Sequence, residues 1–268
     1  MKTLFLTLLT VTLLSLNALA QFDDKFYYPV KAWKPVDNLV FEDVFLDTDT
    51  VKLNGIFIKP KGKPKGTVLF FHGAGGNVSS YLFMTRPLVD HGYQVFMIDF
   101  RGYGKSTGKP THINVAKDGQ LVFNYVQARP EVKNTKLILF GASLGTQIAT
   151  KLARDNQKQV SALVLDGPMA SFTDIALKYA PKEQHEMIRQ YLVSPYSAKE
   201  DIKAIDNMPK LVVYTKEDKE VPFDESETVY TNATGPKESW IFTGGGHLEG
   251  MKVDPATYLK KIDALIAR

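Results

Sequence analysis

The chain has 268 residues, 44 % of them hydrophobic and 23 % charged, with a formal net charge of +4 and no cysteine. This length suits one α/β domain with a sizeable core behind a short leader. The missing cysteine excludes disulfides, thiol catalysis and lipid attachment at a cleavage site, and the mild, interspersed positive charge speaks for solubility rather than nucleic-acid binding.

Lys2 supplies a positive start, Leu4 to Leu16 is an apolar run interrupted only by Thr and Ser, and Ala18-Leu19-Ala20 forms an A-x-A cleavage site. The apolar run is short for a spanning helix. Residues 1–20 are therefore expected to be a cleavable signal peptide, with the mature chain starting at Gln21, exported to the periplasm or the medium and keeping no stable membrane anchor. Residues 21–268 are expected to form one domain.

Residues 21–38 read as an irregular lead-in packed at the domain edge. Leu39 to Leu46 and Val51 to Ile58 predict two strands joined at the turn Asp47-Thr48-Asp49-Thr50, and the lysine-rich run 59–66 predicts a solvated loop. Strands and helices then alternate. Thr67 to Phe71, Tyr93 to Ile98, Leu137 to Phe140, Ala162 to Leu165, Leu211 to Tyr214 and Ser239 to Phe242 predict strands. Residues 78–91, Val115 to Gln127, Leu144 to Arg154 and Pro255 to Ile266 predict helices. Near-continuous apolar strands separated by amphipathic helices mean a mostly parallel sheet covered on both faces. Residues 167–208 break the rhythm, with helices predicted over Phe172–Tyr179 and Glu183–Leu192, and could form a small cap.

Gly141-Ala142-Ser143-Leu144-Gly145 directly follows the apolar run ending at Phe140. A strand that ends in G-x-S-x-G and enters a helix is a nucleophile elbow, which lifts the serine hydroxyl clear of the sheet. Acyl transfer by serine also needs a base, an acid to orient it and donors for the oxyanion. In this topology the order is Ser, then Asp or Glu, then His. His247, after Gly244-Gly245-Gly246 and the last strand, is the candidate base. Asp218, in the loop after Leu211–Tyr214, is the candidate acid. Asp166 is its alternative, with Glu217 and Glu220 behind. The backbone N–H groups of Leu144 and Ala74 are the candidate oxyanion donors, with Gly73 and Gly75 as alternatives for the second. The glycine-rich loop His72-Gly73-Ala74-Gly75-Gly76-Asn77 could also cradle a phosphate, but neither nucleotide-binding glycine pattern follows a strand here.

His72-Gly73-x-x-Gly76-Asn77, Asp99-x-Arg101-Gly102-Tyr103-Gly104-x-Ser106, the elbow, Asp218-x-x-Val221-Pro222 and Gly246-His247 occur in this order. Together they resemble the α/β-hydrolase superfamily, most of all its compact serine hydrolases: carboxylesterases, monoacylglycerol-type lipases and prolyl aminopeptidase-like enzymes. The resemblance runs from about Val40 to the C-terminus. It implies an eight-stranded α/β-hydrolase fold and a Ser143–Asp218–His247 triad acting without metal or organic cofactor. It also implies that residues 99–106 form a structural turn beside the pocket, held by hydrogen bonds of Asp99. The expected activity is hydrolysis of a carboxylic ester, with a small-molecule or lipid-like ester as substrate and no nucleic-acid partner. A peptidase, thioesterase or acyltransferase would use the same residues, and a binding protein on the same scaffold is a rival of another class. Acyl length, leaving group and oligomeric state stay open.

Overall fold

The computed structural model describes residues 23–36, 38–48 and 51–267. The expected signal peptide lies outside the described residues. Eight strands build the central sheet: β1 Phe41–Asp47, β2 Lys52–Ile58, β3 Thr67–Phe71, β4 Gln94–Ile98, β5 Leu137–Ala142, β6 Ala162–Asp166, β7 Lys210–Tyr214 and β8 Lys237–Ile241. Their spatial order is β8-β7-β6-β5-β3-β4-β2-β1. The β1–β2 and β2–β4 pairings are antiparallel and the others parallel.

The apolar runs have their reason in this order. In β3 every residue is buried, Leu69 and Phe71 in one core and Val68 and Phe70 in the other, because successive side chains leave opposite faces of a strand. The first core is closed by helices α2 (His112–Ala128) and α3 (Gly145–Asp155), through Val115, Val122, Ile148 and Leu152. The second is closed by α1 (Leu82–Asp90) and the last helix, Pro255–Ile266, through Met84, Leu88, Tyr258 and Ile262. Each large apolar side chain so buried stabilises the fold by roughly 1.5–3 kcal/mol relative to exposure.

The segment expected as a cap carries α4 (Phe172–Tyr179), a 3₁₀ turn at Lys182–Gln184, α5 (His185–Tyr191) and α6 (Ala198–Asp201). Besides the single-turn helices α6 and Gly250–Val253, one longer helix has no counterpart in the sequence pattern: α7, Phe223–Asn232. Of its side chains Glu225, Ser226 and Val229 are buried, so its inward face is largely polar and leaves no apolar period. That polar face is satisfied by the chain after β6: Glu225 accepts from the Ala170 N–H (2.8 Å) and Ser226 Oγ donates to the Pro168 carbonyl (2.9 Å). The chain ends in α8 (Gly250–Val253) and α9 (Pro255–Ile266), the latter capped by Asp254 with proline in its first turn.

The lead-in departs from expectation. Tyr28–Pro29 pairs in parallel with Gly75–Gly76, inside the loop after β3, instead of packing at an edge. A two-residue pairing carries no periodicity, so nothing in the sequence announces it.

Candidate active site

Ser143 sits between β5 and α3 with φ of 52°, in the left-handed region that side chains rarely occupy. The turn that holds it there is tight. A β-carbon on Gly141 would lie 2.6 Å from both the Gly145 carbonyl oxygen and Thr146 Cα, and one on Gly145 would collide with the carbonyl oxygen of Phe71. Both positions therefore need glycine. The Ser143 N–H donates to the Asp166 carbonyl (2.8 Å), and its own carbonyl accepts from the Thr146 N–H (2.9 Å). The strain is thus held from both sides.

Asp218 and His247 come from the loops after β7 and β8. One Asp218 oxygen, Oδ1, accepts the N–H groups of Glu220 and Val221, each at 2.8 Å. The other, Oδ2, meets His247 Nδ1 at 2.6 Å. A carboxylate only accepts, so Nδ1 carries the proton and Nε2 keeps its lone pair. Burial works against charging this imidazole, but the Asp218 hydrogen bond and charge outweigh it and raise its pKa above the ordinary histidine value. The His247 loop is tied at both ends: the Gly244 N–H donates to Glu217 and the Gly246 N–H to Glu249, both at 2.9 Å. Glu217 is therefore a loop tie.

Asp166 at the end of β6 has a different partner. It is fully buried, accepts from the Tyr258 hydroxyl at 2.8 Å, and its other oxygen has no hydrogen-bond partner among the described residues. Burial pushes its pKa up to about 7, although the Tyr258 hydrogen bond and the charge of His247 oppose the rise. The backbone here joins the two halves of the site. The Asp166 carbonyl takes the Ser143 N–H, and a β-carbon on the next residue, Gly167, would lie 2.7 Å from His247 Cε1.

A testable consequence separates the two carboxylates. Asp166→Asn keeps an acceptor for Tyr258 and leaves kcat within about tenfold of wild type, against the about 10⁴-fold loss expected of the residue that orients the imidazole. Because the folded-state pKa of Asp166 is raised, its contribution to stability falls as pH climbs from about 4 to about 7. The variant should therefore melt higher than wild type at pH 8, with the gain vanishing near pH 4. A collapse of kcat would transfer the orienting role to Asp166.

Ser143, Leu144 and Ala74 border one cavity of about 530 Å³, walled mainly by apolar side chains that include Phe26, Met169, Ile175, Ile188, Leu192 and Val221. Lys25, Gln184 and Glu220 add polarity. Helices α4 and α5 of the expected cap thus shape it, as does the lead-in. The loop carrying Ala74 is oriented by His72, a buried residue whose ring has no role that local sequence pattern announces. His72 Nε2 accepts the Phe100 N–H (3.2 Å), so Nδ1 carries the proton and donates to the Gly73 carbonyl (2.7 Å). Burial pushes the His72 pKa down to about 4, which keeps the ring neutral. In a trans peptide N–H and C=O point oppositely, so holding the Gly73 carbonyl toward His72 turns the Ala74 N–H away from it.

Residues 99–106 form the turn beside this loop. Asp99 accepts the Val78 N–H (2.7 Å) and its carbonyl accepts from Ser106 Oγ (2.8 Å). Arg101 grips Asp118 of α2 through Nε and a terminal nitrogen, at 2.5 and 2.7 Å.

Comparison with known proteins agrees with this architecture. Residues 62–193 match the family model described as serine aminopeptidase, S33. The Escherichia coli (strain K12) protein YfhR is 31 % identical over 230 residues, covering 84 % of this chain and 79 % of that one. The chain belongs to the α/β-hydrolase superfamily. The Arabidopsis thaliana α/β-hydrolase domain-containing protein WAV2 is 29 % identical over 228 residues, covering 79 % of this hydrolase-fold chain and 74 % of its own. Among solved structures, the Pyrococcus furiosus esterase Pf2001 superposes with a TM-score of 0.70 at 21 % identity, over 90 % of this α/β-hydrolase and 98 % of that chain.

Proposed function

We propose that this α/β-hydrolase is an exported serine hydrolase that cleaves carboxylic esters through an acyl-enzyme. The observation that carries the reading is the His247–Asp218 hydrogen bond, set against the turn whose other side holds the strained Ser143 at an apolar cavity. Ser143 Oγ attacks the ester carbonyl carbon while His247 Nε2 takes its proton. The carbonyl oxygen becomes an oxyanion held by the N–H groups of Ala74 and Leu144. Collapse breaks the bond to the alcohol, which leaves with the proton from His247. Water, deprotonated by the same nitrogen, then attacks the acyl group and releases the acid and Ser143. Asp218 holds the proton on Nδ1 throughout and stabilises the imidazolium.

Turnover of p-nitrophenyl esters from C2 to C16, with mass-spectrometric mapping of a fluorophosphonate adduct, tests the reading. Hydrolysis with the adduct on Ser143 is expected, and the apolar walls favour acyl chains over short acetate. No turnover and no adduct would give the scaffold to a binding function. Glu220 on the cavity border favours one second reading, an aminopeptidase in which that carboxylate holds the substrate ammonium. Faster cleavage of aminoacyl p-nitroanilides than of any ester would establish it. Export rests on residues 1–20; amino-terminal sequencing of the protein from its native cell should begin at Gln21, and an intact Met1 would overturn it.

A further inference from the structure

We infer that Tyr103 and the segment 28–30, which begins with the short strand Tyr28–Pro29, act as positioning groups for the oxyanion loop; the inference rests on the ester-hydrolase reading above.

Three of the six residues from His72 to Asn77 are glycine. Such a loop has many conformations open to it, and a preorganised oxyanion donor must be held in one. His72 pins the carbonyl before Ala74. The carbonyl of Ala74 itself is pinned from the opposite side of the chain. It accepts the Tyr103 hydroxyl at 2.5 Å and the Tyr28 N–H at 2.9 Å. The Tyr28 N–H is also 3.0 Å from the Tyr103 hydroxyl oxygen, so the three groups form a closed triangle. With both flanking carbonyls fixed, the direction of the Ala74 N–H is fixed too.

The strand is strapped along the loop beyond this point. The Val30 N–H donates to the Gly76 carbonyl (3.0 Å), and Asn77 Nδ2 donates to the carbonyls of Val30 and Ala32, each at 2.9 Å. The Gly104 N–H adds a bond to the Val30 carbonyl (3.1 Å). The strap therefore connects the turn at residues 99–106 to the loop after β3. Tyr103 is fully buried, and burial holds its hydroxyl well above the ordinary tyrosine pKa, so it remains a donor. Its ring packs on His72, centroids 4.7 Å apart, which joins the two carbonyl-holding side chains in one unit. The hydroxyl makes the hydrogen bond to Ala74, so phenylalanine would keep the ring packing on His72 and lose the hold.

The test is Tyr103→Phe, with Asn77→Asp as a second variant that loosens the strap at another point. Against the best p-nitrophenyl ester, kcat should fall about ten- to hundredfold through misplacement of the donor, with KM within about twofold. Inhibition by a trifluoromethyl ketone, which forms a tetrahedral adduct bearing the oxyanion, should weaken by the same factor, while binding of the product acid is unchanged. Thermal melting of both variants separates this from loss of fold. Wild-type kcat and ketone affinity in Tyr103→Phe overturn the inference, as does a lowered melting point with unchanged kcat. A wild-type protein that neither turns over an ester nor is labelled at Ser143 overturns the hydrolase reading and this inference together.

Discussion

Replacing Ser143 with alanine should lower ester turnover by about six orders of magnitude, as expected when the nucleophile of a cooperating triad is removed. In the proposed mechanism the Ser143 hydroxyl forms the acyl bond, and the neighbouring hydroxyl, Thr146 Oγ1, is committed to the Ser143 carbonyl. The alanine variant should retain the wild-type melting temperature, because the strain at φ 52° comes from the β-carbon, which alanine keeps. Ser143→Gly should be equally inactive yet more stable by about 1 kcal/mol, since glycine occupies that region without penalty. Calorimetry and p-nitrophenyl assays on the three proteins check both halves. Residual turnover above one per cent in Ser143→Ala would show that another group attacks the ester.

Asp218→Asn should cost about 10⁴ in kcat with the fold intact. The geometry says why. Oδ1 is held as an acceptor by the N–H groups of Glu220 and Val221, so the amide nitrogen of asparagine must take the place of Oδ2. It then presents a donor to His247 Nδ1. That nitrogen is forced to accept, the proton moves to Nε2, and the lone pair that takes the Ser143 proton in the proposed mechanism is lost. Near-wild-type kcat in this variant would remove Asp218 from the mechanism.

The same pair sets the pH dependence. In the proposed mechanism only neutral His247 can act as base, and its pKa is raised, so in wild type kcat/KM should decline on the acid side with a midpoint above 6.5. In Asp218→Asn the burial that opposes charging is no longer outweighed, and the acid limb should shift to lower pH. Stability runs the other way. A histidine with a raised folded-state pKa contributes stability that is full below the unfolded value near 6.5 and is lost as pH rises through the folded value. The ion pair therefore stabilises most where the enzyme is least active. Rate profiles from pH 5 to 9 would contradict this assignment if the wild-type midpoint fell below 6.5.

Local chemistry explains what could be read in the chain. The elbow is legible because its constraints lie within five residues: a strand, two glycines without room for a β-carbon, and a helix. The strand pattern is legible because both faces of the parallel strands are covered, which demands unbroken apolar runs such as Val68 to Phe71. Helix α7 escaped notice because its buried face carries Glu225 and Ser226, whose partners at Ala170 and Pro168 are more than fifty residues away. Tyr103 read as part of a structural turn because the carbonyl it holds belongs to a loop twenty-nine residues earlier.

By itself, the sequence determined the alternation of elements, the place of Ser143 at a strand–helix turn, and the order of serine, acid and histidine. These follow from short-range sterics and from hydrophobic periodicity. Only the tertiary structure decided which carboxylate meets His247, since Asp166 and Asp218 both follow strands and differ in what lies opposite: a tyrosine hydroxyl for one, an imidazole for the other. It alone decided that the lead-in builds a cavity wall and pairs with the loop after β3. Hydrogen bonds between backbone groups leave no mark on side-chain pattern, so pairing of this kind is settled when the chain closes on itself.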